Sequence, residues 1–297
     1  MIRIATRASA LARWQAERVG ARLGRDVEYV LVSTTGDRDQ TSELHAIGGL
    51  GVFTKEVQQA VVDGRADVAV HSAKDLPTDT PPELVLAAIP ERADPRDALV
   101  GDAFADLGPG AQIGTGSVRR RAQLAAARPD LTFGPLRGNI ETRLRKRDEL
   151  GYRAVVVAFA ALERLGLTDQ YPCDVLDTEV MLPQVAQGAL AVECRADDAR
   201  TLARLEAIDD PVAHRAVSAE RAFLAELGGG CDLPCGALAQ VDGRAGTIFL
   251  EALLASLDGH VVLRTRVAGV EPGDVGLTAA RDLLDGKGGR ALLEEVA

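Results

Sequence analysis

Apolar residues along this chain fall into two alternating patterns, short continuous runs bounded by turns and longer stretches at helical spacing. Ile2 to Thr6 predicts a strand, and Ser9 is placed to cap a helix whose Leu11, Trp14, Val19 and Leu23 share one face. Val27 to Thr34 predicts a second strand, and a strand–helix–strand opening implies a parallel α/β layer. Thr35 to Gly51 carries Gly36, Gly48, Gly49 and Gly51 among polar residues and has no period. It reads as a long mobile loop, either functional or a plain solvent-exposed connection. Val52 to Asp63 predicts a helix with Phe53, Val57, Ala60 and Val61 on one side. Ala66 to Val70 is a buried-type strand running directly into His71-Ser72-Ala73-Lys74-Asp75-Leu76-Pro77.

Further along, Ile113 starts a strand, Gly114 to Ser117 a turn, and Val118 a helix. Leu136-Arg137-Gly138-Asn139 opens another unit with Asn139 as its N-cap, Ala154 to Ala158 is a buried strand, and Leu162 to Leu167 is a helical turn or helix end. Two stretches look like joints, the charged Glu91 to Asp97 and Met181 to Gly188, after which Ala189 to Cys194 and a helix around Ala199 to Leu205 would return to the first layer. Beyond Pro211 the pattern changes. A helix from Val212 to Leu227 meets Gly228-Gly229-Gly230, which stops it, and Cys231 follows at once. Strands are then predicted at Ala237 to Val241, Thr247 to Leu254 and Val261 to Val267, the last two joined through Asp258-Gly259, with helices at Thr278 to Leu284 and Arg290 to Val296.

With 297 residues the chain has room for two or three domains, and aromatics at 3% make its core aliphatic. A net charge of −10 argues against a dedicated nucleic-acid binder. No apolar run approaches a membrane span, and Met1 to Thr6 lacks the layout of a secretion signal. Four cysteines are too few for a disulfide scaffold, so a reducing cytoplasm is the expected location. The four histidines have no ligand-like spacing and Cys231-x-x-x-Cys235 lacks a second ligand pair, so no metal is expected.

Positive charge is gathered rather than spread. Between Ile113 and Arg147 stand nine Lys and Arg against two acids, Asp130 and Glu141. Four times a strand ends in a short polar turn that opens a helix with a cation in or beside it: at Arg7-Ala8-Ser9, at His71 to Lys74, at Gly114 to Arg120 and at Leu136 to Asn139. Unpaired N–H groups at a helix start favour an anion, and arginine adds a planar fork matched to carboxylate or phosphate. Arg121, Arg128, Arg145, Lys146 and Arg147 read instead as solvated helix faces. Asp75, a lone acid among these bases, should stay ionised and is suited to stabilise a developing cation or to move a proton. Cys231 reads either as a functional thiol at a loop tip or as a small buried hydrophobe.

These stretches, with Ala69 to Pro77, Glu91 to Ala98, Gly114 to Arg120, Leu136 to Asn139, Gln187-Gly188-Ala189 and Gly229-Gly230-Cys231 in that order, closely resemble the porphobilinogen deaminase (hydroxymethylbilane synthase) family. The resemblance implies an α/β fold of two lobes like those of type 2 periplasmic binding proteins, 1–92 with 188–208 and 93–187, plus a small C-terminal α+β domain over 211–297. It implies a transferase that joins four porphobilinogens head to tail, with loss of ammonia, on a dipyrromethane cofactor thioether-linked to Cys231, and releases hydroxymethylbilane for tetrapyrrole (haem) biosynthesis. It assigns catalysis to Asp75, the cofactor to Lys74, Ser117, Arg119, Arg120 and Gly138, and the substrate to Arg7, Ser9, Phe53, Arg137, Arg143, Arg164 and Gln187. A cytoplasmic monomer with a small-molecule substrate, and with neither nucleic acid nor membrane as partner, is expected. Leu50 stands where many members have lysine, Gly116 where serine is frequent, and Cys235 where an aliphatic residue is common. The rival reading is a non-catalytic anion-binding module of the same two-lobed fold, which would leave Cys231 and Asp75 without a role.

Overall fold

The computed structural model describes residues 1–24, 26–38, 51–229 and 233–294. The chain opens with β1 (Ile2–Arg7), α1 (Ala10–Leu23), β2 (Val27–Val32), a helical turn α2 (Thr35–Arg38), α3 (Lys55–Val62), β3 (Val68–Ser72) and β4 (Leu84–Ala88). It then passes through β5 (Asp97–Gly101), β6 (Gln112–Gly114), α4 (Val118–Ala127), β7 (Thr132–Gly134), α5 (Ile140–Glu149), β8 (Ala154–Ala158), α6 (Phe159–Arg164) and β9 (Cys173–Val175). After β10 (Leu190–Arg195), α7 (Ala199–Glu206) and α8 (Pro211–Glu226) come β11 (Cys235–Val241), β12 (Ile248–Ala255), β13 (Val262–Gly269), α9 (Pro272–Arg281) and α10 (Arg290–Glu294).

Two five-stranded sheets share one plan. The first runs β2-β1-β3-β10-β4 and the second β7-β6-β8-β5-β9. In each, three parallel strands adjoin one antiparallel strand, β10 or β5, that arrives from a crossing between the lobes. This is the two-lobed α/β plan that the resemblance implies. Both faces of each sheet are covered, which is why Ala154 to Ala158 is an unbroken apolar run rather than an alternating one. In the first lobe Ile4, Val19, Val70 and Leu205 pack on one face and Ala5, Val57, Val61 and Ala69 on the other. In the second, Leu99, Ile113 and Leu124 oppose Val100, Leu144 and Val157 across the sheet.

The third sheet, β11-β12-β13, is antiparallel and carries α8 and α9 against one face around the fully buried Phe223. Glu220 of α8 has no exposed surface. It accepts from both Nη atoms of Arg92 at 2.6 and 3.1 Å, from the Ala186 amide at 2.6 Å and from the Ala239 amide at 2.7 Å, so one carboxylate ties the C-terminal sheet to both crossings.

The pattern of apolar residues missed β4, β5, β7 and β9. β7 and β9 span three residues each, too short to show a period, and β5 begins inside a charged run that reads locally as a joint. Helix α3 starts at Lys55 rather than Val52, because the Gly51 carbonyl accepts from the Thr54 and Lys55 amides and closes a turn ahead of it, releasing Phe53 from the helix. The helix predicted from Thr278 begins at Pro272, whose fixed φ suits a first helical turn. Thr35 to Arg38 is helical where a loop was expected, and residues 39–50 of that loop, including Leu50, lie outside the described residues.

Candidate active site

The carboxyl ends of the parallel strands in both lobes face one cavity of about 410 Å³. From the first lobe, β1 delivers Arg7, and Ser9 caps α1, its hydroxyl accepting from the Ala12 amide at 3.4 Å. The end of β3 passes into a 3-10 turn, Ala73–Asp75, that presents Lys74 and Asp75. From the second lobe come Arg120 on the first turn of α4, and Arg137, Gly138 and Arg143 around the start of α5. Asn139 caps α5 by accepting from the Thr142 amide at 2.9 Å.

Each cation is held differently. Arg7 pairs with Asp37, its Nε 3.1 Å from both carboxylate oxygens, and its guanidinium lies 4.3 Å over the Phe53 ring. Burial pushes the Asp37 carboxyl up, but hydrogen bonds from Arg7 and Thr34 outweigh it and hold the group below its ordinary value. Lys74 donates to Gln187 Oε1 at 3.1 Å. Burial, with Arg120 nearby, brings its ammonium down to about 8 against the opposing pull of Asp75 and Asp97. Arg143 donates to the Gly138 carbonyl at 2.8 Å and is lowered to about 10, chiefly by burial and then by Arg120. Asp75 accepts no hydrogen bond among the described residues, and it acts on both Lys74 and Arg143 electrostatically.

Behind this wall lies a buried network of charges. Asp97, the first residue of β5, is fully buried. It accepts from Arg120 Nε at 3.1 Å and Nη2 at 2.7 Å and from Gln187 Nε2 at 3.0 Å, and its other oxygen sits 2.8 Å from Arg119 Nη2. Burial pushes the Asp97 carboxyl up, but Arg119, Arg120 and Gln187 outweigh it and hold the group at about 2. Arg119 and Arg120 also donate to the Leu182 and Val156 carbonyls, at 2.7 and 2.9 Å.

Of the residues singled out from the sequence, the cavity brings together Arg7, Ser9, Phe53, Lys74, Asp75, Arg120, Arg137, Gly138 and Arg143. Four others stand back from it. Ser117 caps α4, accepting from the Arg120 amide at 3.4 Å; Arg119 turns toward Asp97 and Leu182; Gln187 bridges Lys74 to Asp97. Arg164 is buried beneath α1, donating to the Gly188 carbonyl at 2.7 Å with its guanidinium 5.5 Å from the Trp14 ring. Cys231 lies outside the described residues. Of the cations read as solvated, Arg145 and Arg147 pair with Glu149 and Asp148 at the surface, whereas Lys146 donates to the Arg137 carbonyl at 3.2 Å. A side chain at Gly116 would place its Cβ 2.8 Å from the Leu136 carbonyl oxygen, so a serine there would push the Gly116 and Leu136 turns apart. Sequence reasoning missed Asp37 and Asp97. Asp37 is hidden in an aperiodic loop, and Asp97 is one of several acids in a charged run.

The lobes and the inward cations define a two-lobed α/β protein with a cation-lined cavity that also presents the carboxylate of Asp75. The chain belongs to the porphobilinogen deaminase family. The family's model described as porphobilinogen deaminase, dipyromethane cofactor binding domain, matches residues 2–203, and the one for its C-terminal domain matches residues 214–285. The porphobilinogen deaminase of Roseiflexus castenholzii is 46% identical over 98% of this chain and 97% of its own, and that of Acidothermus cellulolyticus is 46% identical over 96% and 88%. Among solved structures, the VFT2 domain of Bordetella pertussis BvgS aligns with 74% of this chain and 91% of its own, at 14% identity and a TM-score of 0.41. Among the described residues, no helix is long and apolar enough to cross a membrane, and no group of three or more His, Cys, Asp or Glu is placed to hold a metal ion.

Proposed function

We propose that this chain is a porphobilinogen-polymerising transferase, joining four porphobilinogens with loss of ammonia and releasing hydroxymethylbilane. The observation that carries this reading is the pairing, in one cavity, of five cations with the unpartnered carboxylate of Asp75. Every pyrrole brings acetate and propionate arms, so a growing chain needs several cations and its cationic reacting carbon needs one nearby anion.

The residues present fit a dipyrromethane on Cys231. Helix α8 ends at Glu226, and Gly229 lies against Thr78, where an added Cβ would be 2.8 Å from the hydroxyl. Arg221 of the same helix donates to the Pro77 and Thr78 carbonyls, just past Asp75. The described chain ahead of Cys231 thus ends beside the Asp75 turn. Further on, the Cys235 thiol lies within electrostatic reach of Arg119. Lys74, Arg120 and Arg143 would hold the cofactor's carboxylates, assisted by Ser117, Arg119 and Gly138 as the frame of the two turns. When bound, the group supplies a nucleophilic pyrrole carbon.

Toward porphobilinogen, Arg7, Arg137 and Arg143 bind the acid arms, with Ser9 and Phe53 shaping the first-lobe wall. Asp75 accepts from the pyrrole N–H and stabilises the positive charge that develops when the C–N bond of the protonated aminomethyl group breaks with its electron pair going to nitrogen. Gln187 and Arg164 act behind the wall: Gln187 aims Lys74, and Arg164 fixes α1 against the Gly188 crossing. Lobes of 1–92 with 188–208 and of 93–187, and a third domain of 211–297, make up a cytoplasmic monomer that needs neither nucleic acid nor membrane.

Incubation of the purified chain with porphobilinogen tests this directly. The expected result is four ammonia released per linear tetrapyrrole formed, whereas binding of porphobilinogen without ammonia release would overturn the proposal.

A further inference from the structure

Beside Asp75 and Arg7, and not lined by Lys74, Arg120, Arg137 or Arg143, the site opens into a second cavity of about 60 Å³, room for a few molecules of water size. Asp75, Arg7, Ser9, Phe53 and Ser72 form part of both cavities, and Gln15, Thr54 and His71 belong to the small one alone. We propose that this small cavity is the leaving-group pocket, a binding site for the ammonium released at each addition. The inference rests on the deaminating reaction proposed above.

Its walls offer hydrogen-bond acceptors. Gln15 is 3% exposed and its amide nitrogen donates to Ser72 Oγ at 2.7 Å. Its Oε1 accepts no hydrogen bond among the described residues, which leaves an acceptor in a buried side chain aimed at the cavity. Thr54 Oγ1 donates to the Gly51 carbonyl at 3.4 Å and keeps its lone pairs. His71 Nε2 sits 3.2 Å from Oε2 of the fully buried Glu193, whose two oxygens also accept from Gln58 Nε2 at 3.1 and 3.0 Å.

The charges facing the pocket suit a monovalent cation. Arg7 borders it but is paired with Asp37, Glu193 lies behind His71, and Asp75 is open. The main cavity is a more cationic environment, with Lys74, Arg120, Arg137 and Arg143 on its walls beside Asp37, Asp75 and Glu141. When the C–N bond breaks, the electron pair leaves with nitrogen as ammonia and the pyrrole lone pair offsets the deficit at carbon. The C–H proton displaced in the addition converts ammonia to ammonium, so atoms and charge balance. Drawing that ion into the small cavity separates it from the electrophilic carbon and limits its return.

Thallium(I), a monovalent ion close to ammonium in size, is the probe. Crystals of the holoenzyme soaked in thallium(I) acetate should show an anomalous peak between Gln15 and Asp75 that is lost in Gln15→Leu. In solution, ammonium chloride should inhibit turnover beyond sodium chloride at equal ionic strength. Both Gln15→Leu and the near-isosteric Thr54→Val should weaken that inhibition roughly fivefold, the worth of one hydrogen bond. Water alone in the cavity, with ammonium inhibition unchanged in the variants, overturns the pocket while ammonia release continues. Absence of ammonia release from porphobilinogen defeats instead the function on which it rests.

Discussion

Asp75 and Asp97 are the same residue type among overlapping cations, yet the fold gives them opposite fates. Asp97 begins a strand, is sealed from solvent, and has its oxygens taken up by two arginines and Gln187. Asp75 follows a strand's carboxyl end on a 3-10 turn, borders two cavities and accepts no hydrogen bond among the described residues. A carboxylate whose partners are all protein atoms organises a site, and one whose partners are withheld is left for a ligand. The same division separates Arg119, turned inward, from Arg143, turned to the cavity.

The sharpest way to break the comparison is Asp97→Asn. It leaves two guanidiniums buried without their counter-charge, so unfolding in urea should show a loss of about 3–5 kcal/mol. A loss below about 1 kcal/mol would mean the network is not structural. Asp75→Asn should do the reverse, leaving the urea midpoint nearly unchanged while turnover falls roughly 100- to 1,000-fold. Near-normal turnover would remove Asp75 from the chemistry.

How far the sequence alone reaches is clear from these same residues. The caps Ser9 and Asn139 and the strand Ala154 to Ala158 are local features, and the structure places them where the pattern does. Asp75 was visible because it closes a buried strand. Asp97 was not: its partners lie 22, 23 and 90 residues away, and only the antiparallel register of β5 brings them together. Phe53 had the spacing of a helix face, and it took the Gly51 turn to put it under Arg7.

Lys74 sharpens the comparison through pH. Its ammonium titrates at about 8 in the folded chain, below the ordinary 10.5, because burial disfavours the charge. Between these values the unfolded chain holds the proton and the folded one does not, so stability should rise with pH across the window from about 8 to 10.5. Holding the cofactor's carboxylate in place needs the charged form, so kcat/KM for porphobilinogen should fall as pH rises through about 8. Lys74→Arg should abolish that limb, and an unchanged profile would place the titration elsewhere. The smallest effect is expected at Phe53→Leu, which removes the ring beneath Arg7 and should raise KM about two- to fivefold with little change in kcat. An unaltered KM would show that Asp37 alone orients Arg7.

The central claim is that the cavity serves an oligopyrrole tethered by one cysteine. The mass of the denatured active protein, with fragmentation of the peptide that carries both Cys231 and Cys235, tests it most directly. The account predicts an excess of two pyrrole units on Cys231 alone. A bare chain in active protein, or the excess on Cys235, would contradict it.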